Sequence, residues 1–368
     1  MADDLFRVEM LPALHGDCLF VEYGNEDSPR RMLIDGGPIG AYDALEARLA
    51  ALPAGKKRLE LLVLSHVDTD HAEGLIRLLA NQPLPVKIEE VWFNGWRHLE
   101  QAHGLLGGKQ GEFLSALLSR RLRPEQWNTA FQGQAVVAPA DAPLPEVTLA
   151  GGMKLTLLSP TPEGLDKMKK AWRAAMSPGM APGDLDAAWR ALGKRKAYLP
   201  GQGLLGTTPQ MDQLLEKQLK VDDSQANASS IAFLAELGDK SCLFLADAHR
   251  DVIIASLQRL LAQRGLDRLP VSAVKVAHHG SAGNLNDELL GLVDSPRFLL
   301  STNGDIFHHP DAEAVQRIIA RAVHQPPTLY FNYLSDTTQP WQDAALQAQL
   351  DFRAEFNPDN EQPFVIEL

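Results

Sequence analysis

The apolar run Leu61-Leu62-Val63-Leu64 is followed at once by Ser65-His66-Val67-Asp68-Thr69-Asp70-His71. Four consecutive apolar residues bounded by polar ones read as a short strand covered on both faces, which calls for a layered α/β fold. Two imidazoles and two carboxylates directly beyond its carboxyl end are not packing residues. Buried carboxylates without partners cost several kcal/mol, so these must be solvated, paired or bound to a cation. His and Asp are ordinary ligands for zinc and related divalent ions, and a turn after a strand can aim several of them at one point. The structural alternative is a polar strand-to-helix turn whose Asp caps a helix starting near Ala72.

The rest of the chain supports the layered reading. Segments 5–11, 18–23 and 31–34 are strand-like, the last running into the turn Asp35-Gly36-Gly37-Pro38. Segment 41–52 has helical spacing, 72–80 is helical, and 86–93 returns as a strand. From 95 to 225 the pattern loosens. Segment 112–122 is an amphipathic helix, 147–158 a strand or hairpin, and 160–219 is rich in Ala, Lys, Met, Gly and Pro. The span 95–225 therefore reads as a largely helical insertion or lid, with Trp172 and Trp189 packing it onto the body and substrate stacking as their alternative role.

Alternation resumes at Ala228. Strands are expected at 230–237 and 242–246 around a Gly238-Asp239 hairpin turn, then at 271–277 and 298–301, with helices over 249–263 and 312–323. Segments 328–333 and 364–368 are expected to close the sheet. The expectation is one domain over 1–368, an α/β sandwich with helices outside packed sheets.

Hydrophobic residues make up 45% of the chain and charged ones 22%, the balance of a soluble globular protein. No apolar run approaches the roughly 18 residues that span a bilayer. The start, Met1-Ala2-Asp3-Asp4-Leu5, lacks the basic and apolar regions of a signal peptide. A cytoplasmic location without a membrane partner is expected, and Cys18 and Cys242 read as reduced core residues. The net charge of −12 argues against a broad surface for long duplex nucleic acid. A small phosphate-bearing substrate remains compatible, because bound cations reverse the local potential. Lys194-Arg195-Lys196 reads as a solvated loop.

Polar residues end three further apolar runs. Arg31 to Ile34 delivers Asp35, Leu243 to Ala246 delivers Asp247, and Val274 to Ala277 delivers His278-His279-Gly280-Ser281. Ligands gather beyond the carboxyl ends of strands in α/β sheets, so these groups are expected to converge. Together they supply the donor inventory of a two-metal hydrolase.

The first motif resembles the metal-binding signature of the metallo-β-lactamase fold superfamily, in the variant where Asp replaces the middle His of His-x-His-x-Asp-His. Further elements, in order, resemble the hydrolase domains of bacterial competence DNA-uptake channels: Gly16-Asp17-Cys18, Leu33-Ile34-Asp35-Gly36-Gly37, Asn227-Ala228-Ser229-Ser230-Ile231, Leu245-Ala246-Asp247, Lys275-Val276-Ala277-His278-His279-Gly280-Ser281 and His309-Pro310. The match covers about residues 5–93 and 225–340. The resemblance implies a four-layer αββα sandwich. It also implies a site in which His66 and Asp68 hold one divalent ion, while Asp70, His71 and either His278 or His279 hold a second, with Asp247 bridging. Zinc is the expected metal, with manganese as the harder alternative. Asp70 is the candidate to orient or deprotonate a metal-activated water. Ser281, Asn303 and His309 are candidate substrate contacts, and Asp17 and Asp35 are expected to orient ligand histidines from behind.

One departure stands out. The superfamily supplies another His ligand before the bridging Asp, yet the region around Leu157-Leu158-Ser159-Pro160 has none. His98 and His103, read as loop residues, are the candidates to replace it. The leading expectation is a metal-dependent phosphodiesterase or nuclease acting on a small phosphorylated substrate or a nucleic-acid end. Hydrolysis of a lactone, thioester or other small ester is the alternative. A non-catalytic regulatory module that keeps its metal is the third reading.

Overall fold

In the computed structural model, which describes residues 5–99, 109–174, 181–200 and 223–368, the strand-like runs pair into two main sheets. The first strands are β1 (Leu5–Met10), β2 (Leu19–Gly24), β3 (Arg30–Ile34), β4 (Arg58–Val63) and β5 (Lys87–Trp92). Next come β6 (Glu146–Thr148), β7 (Lys154–Ser159), β8 (Ala232–Leu237) and β9 (Lys240–Phe244). They are followed by β10 (Leu269–Pro270), β11 (Ala273–Lys275), β12 (Val293–Asp294), β13 (Arg297–Leu300), β14 (Thr328–Phe331), β15 (Arg353–Phe356) and β16 (Phe364–Glu367). One sheet has the order β16-β1-β2-β3-β4-β5, the other β15-β14-β13-β11-β9-β8-β7-β6, and β10 pairs separately with β12.

The layers follow from strand alternation. On β4, Leu61 and Val63 join a core that also takes in Val8, Val21 and Met32 of the first sheet and Leu155, Leu157 and Leu243 of the second. Leu62 and Leu64 belong to the opposite face, against α1 (Tyr42–Ala50) and α2 (Thr69–Ala80), through Leu45, Leu49, Leu75 and Leu79. Helices Arg250–Arg264 and Ala312–Arg321 bring Leu257 and Ile318 to the second sheet's core. The result is the four-layer αββα sandwich. Among the described residues no helix is long and apolar enough to cross a membrane.

Two strand assignments are corrected. Segment 364–368 does not close a sheet with 328–333: β16 pairs antiparallel with β1, Ile366 opposite Val8, and Ile366 enters the shared core. The second sheet is closed by β15, parallel to β14. Arg353-Ala354-Glu355-Phe356 is an edge strand with partly exposed residues, so no apolar run marks it in the sequence.

The span 95–225 holds more than helices. β6 and β7 continue the second sheet from β8. The helical pieces of the span include α3 (Trp96–Leu99), α4 (Lys109–Arg121), α5 (Pro162–Ala174) and α6 (Leu185–Leu192). Trp172 is fully buried, and its Nε1 donates to Glu112 at 2.8 Å. Trp189 lies under the guanidinium groups of Arg120 and Arg121. Both tryptophans are thus occupied in packing. His98 is not in a loop but on α3. Its Nδ1 accepts from the Gly95 N–H at 3.1 Å, its ring meets Trp127, and burial, then the Arg97 charge, pushes its pKa down to about 3. His103, segment 104–108 and segment 201–222 lie outside the described residues. Cys18 and Cys242 are free and buried, and burial pushes both thiols up.

In the first sheet β3 and β4 run parallel, and in the second β9, β11, β13 and β14 do. Within each set the carboxyl ends therefore share one edge. At the first sheet that edge is tied to α2 by close backbone contact. The Gly36 N–H donates to His71 O at 2.8 Å and the Gly74 N–H to Gly37 O at 2.9 Å. A Cβ at Gly74 would overlap the Gly36 carbonyl. Gly74→Ala would stabilise an isolated helix by about 1 kcal/mol. Here it is expected to destabilise the fold by about 1–3 kcal/mol through overpacking, measured as a lower urea midpoint; an unchanged or higher midpoint would contradict the docking.

Candidate metal centre

The chain immediately beyond β4 places His66, Asp68, Asp70 and His71 in sequence. Thr69 begins α2, so Asp68 occupies the N-cap position, yet its side chain makes no capping bond. Its carboxylate instead lies 3.5 Å from His66 Nε2. Beyond β9, Ala246 adopts φ 46° and presents Asp247. Beyond β11 the chain does not continue as a strand. His278 and His279 both take left-handed φ values, 46° and 54°, in a tight turn. On an extended strand neighbouring side chains point to opposite faces. In this turn both rings reach the same centre.

That centre is Asp247. His71 Nε2 and His279 Nε2 lie 3.6 and 3.9 Å from its Oδ1. His278 Nε2 and His66 Nε2 lie 3.6 and 3.9 Å from its Oδ2. Asp70 adds a carboxylate 3.4 Å from His279 Nε2 and 3.7 Å from His71 Nε2. His66, His71 and Asp247 form one donor group that could hold a metal ion, and Asp70, His71 and His279 form another.

All four imidazoles are fixed from behind. His71 Nδ1 meets Asp35 Oδ2 at 2.8 Å, His279 Nδ1 meets the Ser301 carbonyl at 2.9 Å, and His278 Nδ1 meets Asn284 Oδ1 at 3.1 Å. His66 Nδ1 meets Ser65 Oγ at 3.0 Å, whose own hydroxyl donates to Asp35 at 2.6 Å. Oxygen acceptors require the proton on Nδ1, leaving the Nε2 lone pairs for the centre. The buried Nε2 atoms of His66, His71 and His279, together with Asp247 Oδ1, have no hydrogen-bond partner. Buried polar atoms are rarely left so. Cations held in the two donor groups would satisfy these atoms, and the N/O donor chemistry fits such ions.

Electrostatics agree. Burial alone would lower the pKa of His71, but Asp247, Asp70 and Asp35 hold it well above the usual range. Burial likewise opposes charging of His279, whose pKa Asp247 and Asp17 nonetheless push up to about 10. Conversely, burial would raise Asp70 and Asp247, yet the surrounding imidazoles hold both well below the carboxylate range. The cluster demands positive charge, as protons or as metal.

The remaining sequence candidates fall in different places. Asp35 accepts from the Ser65 N–H, the Ser65 hydroxyl and His71. Asp17 lies 3.6 Å from His279 Nδ1 and accepts from Lys275 Nζ at 2.8 Å, both partners fully buried. His309 stacks edge-on to His278, ring centroids 5.5 Å apart, with its Nδ1 on Asp311. The Ser281 N–H closes the histidine turn onto His278 O. The Asn303 side chain bonds to Asp305 within its own turn. Ser65, Asn284 and Lys275 carry support roles the sequence reading did not assign. Lys275 had a signal, since a lysine inside the apolar run Ala273 to Ala277 needs a buried counter-charge.

No family model and no curated protein sequence matches the chain. Among solved structures it is similar to a mutant of the CmlA beta-hydroxylase, at 13% identity and TM-score 0.39, over all of this chain and 54% of that one. It is similar to Zn(2+)-bound PqqB from Methylobacterium extorquens at 10% identity and TM-score 0.41, over 96% and 88% of the two chains. The Rm3 metallo-beta-lactamase follows at 13% identity and TM-score 0.27, over 71% and 75%. The chain thus spans about half the length of the CmlA protein. At these identities and scores nothing about chemistry transfers.

Two outcomes follow from the support shell. Asp35→Asn keeps the volume but removes the carboxylate behind His71, and is expected to weaken metal binding about 10–100-fold in a chelator competition. Lys275→Met leaves Asp17 buried without its partner and is expected to cost about 3–5 kcal/mol in urea unfolding. Unchanged affinity in the first or unchanged stability in the second would refute these roles.

Proposed function

We propose that the chain is a metal-dependent hydrolase acting on phosphodiester bonds, in a small phosphorylated substrate or at a nucleic-acid end. One observation carries the reading: the two oxygens of Asp247 face different histidines, His66 and His278 on Oδ2, His71 and His279 on Oδ1. A carboxylate placed in this way suits two cations side by side. His66, Asp68 and His278 would serve the first and Asp70, His71 and His279 the second, so the adjacent histidines are shared out between them. His278 then takes the part of the ligand that the strand end at Ser159 lacks. Charge supports the pairing. Lys275 neutralises Asp17, while Asp35, Asp68, Asp70 and Asp247 have no Lys or Arg partner among the described residues, and two divalent ions balance four carboxylates.

When bound, paired cations supply a polarised phosphoryl group and an acidified water. Zinc is the metal this N/O donor set favours, with manganese the alternative where carboxylates dominate. The protein's own groups do the rest. Asp35, Ser65, Asn284 and the Ser301 carbonyl hold the imidazoles in one tautomer and orientation. Asp70 would orient the attacking water or take its proton. His309, whose ring meets that of His278, would contact the substrate. The resemblance of the ordered motifs to those of competence-type hydrolase domains supports the phosphodiester assignment.

Elemental analysis paired with hydrolysis of bis(p-nitrophenyl) phosphate tests the reading. About two metal ions per chain are expected. His278→Ala should hold about one, and Asp70→Ala should lose about 100-fold or more in turnover. No metal after reconstitution with Zn²⁺ or Mn²⁺ would overturn the reading, and metal with no turnover would move it away from phosphodiesters.

A further inference from the structure

A cavity of about 350 Å³ opens beside the metal centre, within the range of small-molecule sites. His15 and Thr69 line it, and Thr69 stands in the chain between Asp68 and Asp70 of the cluster. Its far wall comes from the span 95–225, through the first turns of α4 and the strap from Lys194 to Tyr198. The two parts of that wall differ in chemistry. Ile39, Phe113 and Tyr198 give an apolar floor, the two rings meeting edge to face at 6.1 Å. Above it stand Lys109, Lys194, Arg195 and Lys196, none of which pairs with a carboxylate among the described residues.

Elsewhere on this chain of net charge −12 some cations meet carboxylates, as Arg120 meets Asp186 and Arg317 meets Glu313. Here like charges face each other instead, for burial first and Arg195 second lower the pKa of Lys109. The carboxylate of the pocket, Glu73, is already bonded to the Ile39 N–H and the Tyr198 hydroxyl. Cations held together over an apolar floor attract an anion that carries an apolar body.

We infer that this cavity binds the part of the substrate beyond the scissile bond, and that this part is an apolar or aromatic group bearing its own anionic substituent. Lys194-Arg195-Lys196, which in the sequence is a short solvated basic run, becomes the specificity element of the site. The inference rests on the metal-dependent hydrolase reading for the scissile bond, but its test does not. A cavity of this volume takes one small molecule or one terminal residue.

Calorimetric titration of the metal-loaded full chain with 2-naphthalenesulfonate tests it, since a sulfonate is a poor metal ligand. Binding of one molecule is expected, at least 10-fold tighter than that of the neutral analogue 2-naphthalenemethanol. Lys109→Met/Arg195→Met is expected to lose at least 10-fold in sulfonate affinity with metal content unchanged. Lys194→Met/Lys196→Met, wholly on the exposed strap, serves if the first pair loses metal. Absence of sulfonate binding, equal binding of the neutral analogue, or full affinity in the charge-deleted chains would overturn the inference. Metal content and phosphodiester turnover of the unsubstituted chain report separately on the hydrolase reading.

Discussion

Each imidazole around Asp247 is held at Nδ1 by an oxygen from a different part of the fold, and the centre depends on that anchoring. Asp35 comes from the end of β3, Ser65 from the end of β4, Ser301 from the end of β13 and Asn284 from the turn after the histidine pair. Asp35 matters most. It joins the backbone and hydroxyl of Ser65 to His71, and through Ser65 it also reaches His66. A free histidine ring can turn and exchange tautomers. A ring bonded at Nδ1 presents one lone pair in one direction. Convergence of four such lone pairs on a single carboxylate is therefore a property of the anchors as much as of the ligands.

The arrangement is costly, and the layered fold supports it. Asp35, Ala246, His278 and His279 all hold left-handed backbone conformations, each of which costs about 1–3 kcal/mol in a residue with a side chain. Asp17, Asp35 and Asp247 are carboxylates at 1–2% exposure. Such groups persist only where surrounding structure over-determines them. Here the two packed sheets and the helices outside them fix the strand ends, and glycines allow the connecting backbones to touch. A side chain at Gly16 would run into the Asp70 carbonyl, and one at Gly36 or Gly74 into the other's backbone. The buried Lys275–Asp17 pair links β11 to the loop before β2, bridging the two sheets at the level of the centre.

Local pattern carries much of the fold. The short apolar runs at β3, β4, β9 and β11 are strands, the Gly238-Asp239 turn joins β8 to β9, and the helices at 41–52, 72–80, 249–263 and 312–323 form within a few residues of their expected bounds. Periodicity marks which residues face a core. It does not mark which core, or which neighbour. Hence β16 looks like a partner of β14 but pairs with β1, and β15, half exposed at an edge, has no apolar signature to find.

By itself the sequence determines the donor chemistry: which residue types stand at the ends of which strands, and that their carboxylates need a counter-charge. It determines that Asp35 and Asp247 follow apolar runs, and that Lys275 sits inside one. Only the tertiary structure decides that His278 and His279 both turn inward, that Asp247 divides its oxygens between them, that His98 is spent on Trp127, and that Lys109 and Arg195 meet over one cavity. The physical reason is that a residue's type and its hydrophobic period are local properties. The distance between two strand ends, and the backbone angle of a turn held against its own preference, are set by packing between segments far apart in the chain.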